Sequence, residues 1–400
     1  MRILSIILDR PIPPTTGQRV RNAHIWSELQ RLGVEVRVCC IDLALEPGPP
    51  QGPPGVETEF FRFDRDPLPR RAWTMLFHSH HEHFRSRALA DRVDAIARDW
   101  KPDVIHAEEL RNTFYWPKFR GKSSAAIQTV TLHNVESELQ RRIGSAPFKL
   151  GAPIFNHLHR RSLLAFERRA LEMADLAFAW SEYDLKVYRG LYPSVNWGVT
   201  RNGAAARQVV PAPQVAEPTV LLLGNLGYWP NIQGLFWFLD EIRPRLDPGV
   251  RLTVAGSKAT PEVRAQLASE PAVRFIDTPL ELAPLFAEAA LTAVPLFEGS
   301  GTRGRLLETL AHERVVVTTT KGAEGIDLGD EEGILIADDA ESFARRLAEA
   351  LRDLPARAEA GRRGREAVLA TFDWSVVAAE MKADWEACLA RTRAADPSAV

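Results

Sequence analysis

Short apolar runs alternate with amphipathic stretches along most of the chain. The runs at 3–8 and 34–43 are bounded by polar or turn-forming residues. Between them, residues 20–32 show helical periodicity and lead to Gly33, which suits a helix C-cap. Strands that are apolar on both faces and separated by helices are typical of parallel sheets covered on both sides. The opening therefore predicts the strand, helix and strand of a doubly wound α/β domain.

The same alternation continues and then restarts after a segment without strand or helix signals. In 400 residues, two domains of this design are the natural expectation. We predict an N-terminal Rossmann-like domain over residues 1–205, a linker over 206–217 and a C-terminal Rossmann-like domain over 218–371. A long final helix over 372–395 is expected to cross back to the N-terminal domain.

Composition excludes several classes of function. A formal net charge of -2 gives no support for nucleic-acid binding. The chain has three cysteines, and two of them, Cys39 and Cys40, are adjacent in an apolar run, which favours buried thiols in a reducing compartment. The N-terminal apolar run is too short for a secretory signal, and no run approaches the roughly 18–20 residues of a membrane span. We therefore expect a cytoplasmic protein.

The strongest candidate chemistry follows an apolar strand that ends at Phe297. A Gly-rich loop over 298–302 leads into a helix opened by Arg303. Such a loop lets backbone N–H groups approach a ligand, and a helix N-terminus favours an anion. Arg303 and Arg305 add positive charge that suits a diphosphate, and Glu308 could accept hydrogen bonds from ribose hydroxyls. The alternative is a surface turn with an ordinary Arg305–Glu308 helix pair.

This segment resembles the donor-site signature of glycosyltransferase family 4, in particular a subgroup with the pattern Gly-x-Gly-Thr-Arg-x-Lys/Arg-x-Leu-Glu. In this chain the pattern runs from Gly299 to Glu308, and 321–325 is also similar to the family. The resemblance implies the GT-B architecture, in which two Rossmann-like domains face a central cleft. It also implies a nucleotide-diphosphate sugar as donor, UDP- or GDP-linked, and transfer with retention at the anomeric carbon.

The resemblance extends to 13–19, 131–136, 201–203 and 372–374. It implies roles for three groups of residues. The catalytic group is His133, Arg303 and Arg305. The donor-binding group is Gly17, Asn225, Gly227, Ser300, Gly301, Thr302, Glu308 and Glu324. The acceptor-binding group is Arg19, Asn134 and Glu136. No metal and no cofactor are expected, because arginines can neutralise the diphosphate.

The chain departs from the broad family at two places. Many members carry an Arg and a Lys after the first strand of the C-terminal domain, where this chain has the neutral Asn225 and Gln233. We interpret Arg303 and Arg305 as the replacement for that charge. The first acid of the family's paired-glutamate motif is also absent, because Ser300 occupies its position.

Other readings of the sequence stay open. The His-rich segment 77–84 favours a solvated helix over a metal site. Basic and apolar residues mix at 67–77 and 140–169, which suggests either amphipathic helices or weak peripheral contact with the inner face of the plasma membrane. The acceptor is a glycan, a lipid-linked sugar or a small molecule, and polysaccharide biosynthesis is expected by analogy only. Two alternatives are a nucleotide-sugar epimerase and a glycosyltransferase-like binding protein with weak catalysis.

Overall fold

The computed structural model describes residues 1–14, 16–43, 48–64, 85–133, 153–270, 272–298 and 304–395, without the side chains of 153–160 and 395. The chain divides into two compact units, one formed by Met1–Arg201 with Val377–Val400 and the other by Asn202–Val376. Several predicted features lie outside the described residues. These are the His-rich segment 77–84, the basic segment 67–77, residues 140–152, Asn134, Glu136, Ser300, Gly301, Thr302 and Arg303.

The first unit is built around a parallel sheet. Its described strands are β1 (Arg2–Leu8), β2 (Glu35–Ile41), β3 (Glu57–Phe61), β4 (Val104–Glu108), β5 (Ile127–Leu132), β6 (Leu176–Ala179) and β7 (Trp197–Val199). Its described helices include α1 (Gly17–Arg31), α2 (Arg87–Asp99), α3 (Pro153–Met173) and α4 (Glu182–Leu191), with 3-10 turns at Leu110–Tyr115 and Lys118–Arg120. The strand order is β3-β2-β1-β4-β5-β6-β7, and each pair is parallel.

The second unit repeats the plan with a smaller sheet. Its described strands are β8 (Thr219–Asn225), β9 (Arg251–Ser257), β10 (Val273–Asp277), β11 (Leu291–Val294), β12 (Val315–Thr318) and β13 (Ile334–Ile336), in the order β10-β9-β8-β11-β12-β13. Its described helices include α5 (Trp229–Trp237), α6 (Pro261–Ala268), α7 (Ala283–Glu288), α8 (Gly304–Ala311), α9 (Thr320–Ala323), α10 (Ala340–Arg352) and α11 (Leu354–Thr371). Shorter helical turns lie at Ala206–Gln208, Phe238–Ile242, Arg243–Arg245 and Asp330–Glu332.

The last helix, α12 (Trp374–Ala395), includes residues of both units because the first unit resumes at Val377. Among the described helices, none is both long enough and apolar enough to cross a bilayer.

Helix starts follow the local chemistry of the chain. The side chains of Thr16, Ser86 and Ser181 accept backbone N–H groups at the starts of α1, α2 and α4. Asp339 does the same for α10, and Thr260 for α6. These side chains satisfy N–H groups that have no partner within the helix, so each fixes where a helix begins.

The two sheets confirm the predicted doubly wound α/β architecture. The apolar runs at 3–8 and 34–43 supply β1 and β2, and Cys39 and Cys40 are buried free thiols within β2. The sequence pattern predicts no strand at β3, because its residues Glu57–Phe61 mix polar and apolar side chains and are at most partly buried. An edge strand of this kind lacks the apolar run that reveals the central strands.

The segment 206–217, expected as a linker, is held against the second unit by buried arginines. Arg314 donates to the carbonyl oxygens of Ala212 and Pro213, and Arg357 donates to that of Val215. Each guanidinium thus satisfies backbone carbonyls that would otherwise be left without partners. This segment is therefore an integral part of the second unit.

Candidate active site

Both sheets contain one point where the strand order reverses. In the first unit the reversal lies between β1 and β4, and in the second unit it lies between β8 and β11. In open α/β sheets, ligands bind beyond the carboxyl ends of the strands at such a reversal. We therefore describe the candidate residues that follow these strands, one unit at a time.

The segment after β1 places Gly17 and Arg19 in the first turn of α1. Thr16 caps the helix, and its side chain accepts the backbone N–H of Arg19. The Arg19 Nε atom donates to Asp9 Oδ2 at 2.6 Å, so this guanidinium is already part of a buried ion pair. A Cβ on Gly17 would have no heavy atom within 4 Å, so the fold does not require glycine there. The binding roles of both residues stay predictions.

His133 lies directly after β5, as the sequence predicts for a residue at a strand end. Its Nε2 atom is 2.8 Å from Glu108 Oε1, and its Nδ1 atom is 3.8 Å from a Glu109 carboxylate oxygen. The imidazole stacks on the Trp180 indole, with ring centroids 4.1 Å apart and an angle of 29° between the planes. Only 11% of the His133 side chain is exposed. The contact with Glu108 therefore fixes the rotation of the imidazole within its plane, and the stack on Trp180 fixes the tilt of that plane.

Glu108 is the centre of a buried network that the sequence analysis misses. Its carboxylate accepts Arg21 Nε at 2.8 Å and lies 3.2 Å from His106 Nε2, in addition to the His133 contact. Burial alone would raise the pKa of Glu108, but Arg21 and the two histidines outweigh it and hold that pKa well below its usual range. Glu108 is therefore an ionised carboxylate in the interior of the unit.

A signal for this network is present in the sequence. His106 and Glu108 alternate along β4, and side chains two residues apart lie on the same face of a strand. All five residues of β4 are buried, so two polar side chains on one face require partners inside the fold. The sequence could have indicated the need for a buried cation, but it could not identify Arg21 as that cation.

In the second unit, α8 places Arg305 at the carboxyl end of β8. Arg305 Nη1 donates to the carbonyl oxygen of Leu223 at 2.6 Å, and Nη2 donates to Asn231 Oδ1 at 3.0 Å. Asn231 in turn donates to the carbonyl oxygen of Asn225 at 2.8 Å. The guanidinium thus lies beside the strand end where Asn225 itself brings no charge.

Gly224 makes this position of Arg305 possible. A Cβ built on Gly224 would lie 2.8 Å from Arg305 Nη1, which is closer than real Cβ contacts. A small cavity of about 30 Å³ opens at the same place. It is lined mainly by apolar side chains of β8, β9, α5 and the end of β11, together with Gly224, Asn231 and Arg305.

Asn225 and Gly227 form the turn that follows β8. Asn225 Oδ1 accepts the backbone N–H of Gly227 at 3.0 Å, so this side chain shapes the turn. A Cβ on Gly227 would lie 3.0 Å from the carbonyl oxygen of Lys258, which leaves little room for a larger residue. The donor-binding roles of Asn225 and Gly227 stay predictions.

Glu308 and Glu324 occupy different surroundings. Glu308 is half-buried on α8, and desolvation raises its pKa to about 7 while Arg305 opposes that rise. Glu324 follows α9 and forms an ion pair with Lys321. Near neutral pH, Glu308 therefore carries a proton for part of the time and can donate as well as accept hydrogen bonds.

The structure thus brings Arg305 and Glu308 together on α8, while Arg303 lies outside the described residues. Within the described part of the chain, no group of three or more His, Cys, Asp or Glu side chains is arranged to hold a metal ion. The predicted independence from metal stays a prediction.

Comparison with known families covers both units. Residues 16–203 match the family model described as glycosyl transferase 4-like domain, and residues 217–353 match the one described as glycosyl transferases group 1. The chain belongs to the glycosyltransferases. In this glycosyltransferase the first match includes Arg19, Glu108 and His133, and the second includes Asn225, Arg305 and Glu308.

Solved structures of similar proteins share the GT-B fold. Sucrose-phosphate synthase from Thermosynechococcus elongatus has a TM-score of 0.74 at 18% identity, and the match covers 98% of this glycosyltransferase and 100% of that chain. Anabaena HepE in complex with UDP-glucose has a TM-score of 0.66 at 15% identity, with 99% and 100% of the two chains covered. At these identities the likeness shows the fold alone.

A curated relative from Klebsiella pneumoniae is described as an uncharacterized 44.6 kDa protein in the cps region. It is 28% identical over 138 residues, which is 32% of this glycosyltransferase and 36% of the relative. The match therefore spans about a third of the relative's length.

Proposed function

We propose that this glycosyltransferase transfers a sugar from a nucleotide-diphosphate sugar to an acceptor, with retention at the anomeric carbon. The observation that carries the proposal is the position of Arg305 at the carboxyl end of β8, at the strand-order reversal of the second sheet. A guanidinium in that place suits a diphosphate because it offers fixed, planar donors to phosphate oxygens. The resemblance of 299–308 to a subgroup of glycosyltransferase family 4 supports the same assignment.

In this proposal different residues contact the diphosphate, the ribose and the donor sugar. Arg303 and Arg305 stabilise the negative charge of the departing diphosphate, and the loop over 300–302 binds it through backbone N–H groups. Glu308 contacts the ribose. His133 contacts the donor sugar and stabilises the positive charge that develops at its anomeric carbon.

Retention needs no protein nucleophile here. The bond from the anomeric carbon to the diphosphate oxygen breaks while the acceptor oxygen forms its bond on the same face, and the leaving diphosphate takes the acceptor's proton. The protein supplies position and charge stabilisation for this step.

Two further parts of the proposal concern the nucleotide of the donor and the pathway in which the enzyme acts. The complex of Anabaena HepE with UDP-glucose favours a UDP-sugar over a GDP-sugar. The location of the Klebsiella relative in the cps region favours a role in polysaccharide biosynthesis, with a glycan or lipid-linked acceptor. Such an acceptor fits a cytoplasmic enzyme with peripheral contact at the inner face of the plasma membrane.

A thermal-shift panel of UDP, GDP, ADP and their sugars tests the donor site. A ligand that binds only the folded state, present at 100 times its Kd, stabilises that state by about 2.7 kcal/mol. We expect one nucleotide class to raise the Tm of the wild type and to lose this effect in Arg305→Ala. The matched control is Arg362→Ala, which removes an exposed arginine paired with Glu359 and Glu366 on α11. The proposal fails if no nucleotide shifts the wild type, or if Arg305→Ala keeps the full shift.

A further inference from the structure

We propose that Glu108 is a positioning residue for His133, and that α12 helps to hold it in place through Trp385. The inference rests on the proposed function of His133 but concerns residues that the family resemblance does not name. It starts from an unbroken series of contacts in the first unit, from Trp385 through Thr129 and His106 to Glu108 and then to His133.

The direction of each hydrogen bond in this series can be worked out from Glu108. Its ionised carboxylate can only accept, so His106 Nε2, 3.2 Å from Glu108 Oε2, carries the N–H that donates to it. Thr131 Oγ1 also lies 3.1 Å from this nitrogen. Burial lowers the pKa of His106, so its ring is neutral and carries only this N–H. Nδ1 therefore accepts the Thr129 hydroxyl at 2.8 Å, and Thr129 Oγ1 accepts the indole N–H of Trp385 at 3.1 Å.

The Glu108 carboxylate is therefore held by two donors besides His133, one on each oxygen. Arg21 Nε and His106 Nε2 donate to different oxygens, and this fixes the plane of the carboxylate. Arg21 is itself fully buried and donates to the hydroxyl of Thr200 at 2.9 Å. With the carboxylate fixed in this way, Oε1 can accept the Nε2–H of His133 in one orientation of the imidazole.

This arrangement has a chemical consequence for His133. A carboxylate that accepts a ring N–H fixes the tautomer and makes the imidazole more electron-rich. An electron-rich ring stabilises positive charge better, and positive charge is what develops at the anomeric carbon of the donor. Trp180 stacks on the same ring and restricts its tilt, so the imidazole is oriented before substrate arrives.

The test compares Glu108→Gln and Glu108→Asp with the wild type. Gln removes the charge and places an amide group where Arg21 and His106 already donate. Asp keeps the carboxylate, but on a side chain one methylene shorter. We expect Glu108→Gln to lower kcat by about 10–100-fold, by analogy with the loss of carboxylate partners that orient metal-binding histidines. The Kd for the nucleotide should stay within about threefold, because the proposed phosphate-binding arginine, Arg305, belongs to the second unit. Glu108→Asp should recover part of kcat.

A matched control separates positioning from general loss of stability. Asp94→Asn breaks another mostly buried ion pair of the first unit, in which Arg120 Nη1 donates to Asp94 Oδ2 at 2.8 Å. We expect it to lower the Tm while leaving kcat unchanged. Equal losses of kcat in Asp94→Asn and Glu108→Gln would overturn the positioning role.

Nitrogen-15 NMR of the histidine rings gives a readout that does not depend on turnover. The wild type should show His106 as the Nε2–H tautomer, and Thr129→Val should weaken that preference. Glu108→Gln should shift the ring signals of His133. An Nδ1–H tautomer for His106, or a His133 spectrum unchanged in Glu108→Gln, would overturn the inference. If the wild type neither hydrolyses a donor nor transfers its sugar, the proposed function fails. These spectra still decide whether Glu108 positions His133.

Discussion

The two units hold charge at their strand-order reversals in different ways. In the first unit, the cation and the anion are both buried, and Arg21 and Glu108 balance each other within one network. In the second unit, Arg305 is half-buried, and its guanidinium donates to the carbonyl oxygen of Leu223 and to Asn231 Oδ1. The first arrangement suits the orientation of one imidazole, and the second suits a cation beside a phosphate.

The difference also shows how charge can reach a strand end from elsewhere in the chain. Asn225 leaves the end of β8 neutral, and Arg305 reaches it from a helix 80 residues further on. Gly224 leaves the space that the guanidinium occupies. A neutral residue after the strand therefore does not mean a neutral site.

The largest effect is expected in the first unit, from His133→Ala. Loss of a group that stabilises developing charge typically costs about 100–1,000-fold in kcat. Because the nucleotide is proposed to bind the second unit, its Kd by calorimetry should stay within about threefold of the wild type. A parallel His133→Gln variant, which keeps a polar side chain, controls for loss of packing on Trp180. If His133→Ala abolishes nucleotide binding as well, the division of roles between the units is wrong.

A smaller effect is expected in the second unit, from Gly224→Ala. The added Cβ would lie 2.8 Å from Arg305 Nη1, so the guanidinium must move away from the strand end. We expect nucleotide affinity, measured by calorimetry, to fall about tenfold, which corresponds to about 1.4 kcal/mol. Gly329→Ala is the control, because a Cβ there would find its nearest atom 4.0 Å away. Unchanged affinity in Gly224→Ala would show that the position of Arg305 does not govern binding.

The sequence predicts the architecture well because apolar runs and turn residues reveal central strands directly. The strand-end position of His133 and the shared helix of Arg305 and Glu308 also follow from local order along the chain. The Arg21–Glu108 pair could not be predicted, because its members are 87 residues apart and only the parallel pairing of β1 with β4 brings their elements together. The edge strand β3 is not predicted because three of its five residues are polar, so it lacks a continuous apolar run.

The smallest effect concerns the pH dependence of stability in the second unit. Desolvation raises the pKa of Glu308 from 4.5 to about 7, so the folded state keeps a proton that the unfolded state loses as pH rises. Its contribution is therefore full below about pH 4.5 and is lost as pH rises to about 7. Glu308→Gln cannot titrate, so the Tm of the wild type should fall relative to it by about 3–6 °C across this window. A constant difference in Tm between pH 4.5 and 8, without nucleotide, would contradict this environment for Glu308.

The most direct test of the central claim is the stereochemistry of the sugar released from the donor. The wild type is mixed with the nucleotide sugar that stabilises it best, and the anomeric proton of the product is followed by NMR from the first turnovers, before mutarotation. We expect a product with the anomeric configuration of the donor, and a rate that falls in His133→Ala. A product of inverted configuration, or no cleavage of any nucleotide sugar, would contradict it.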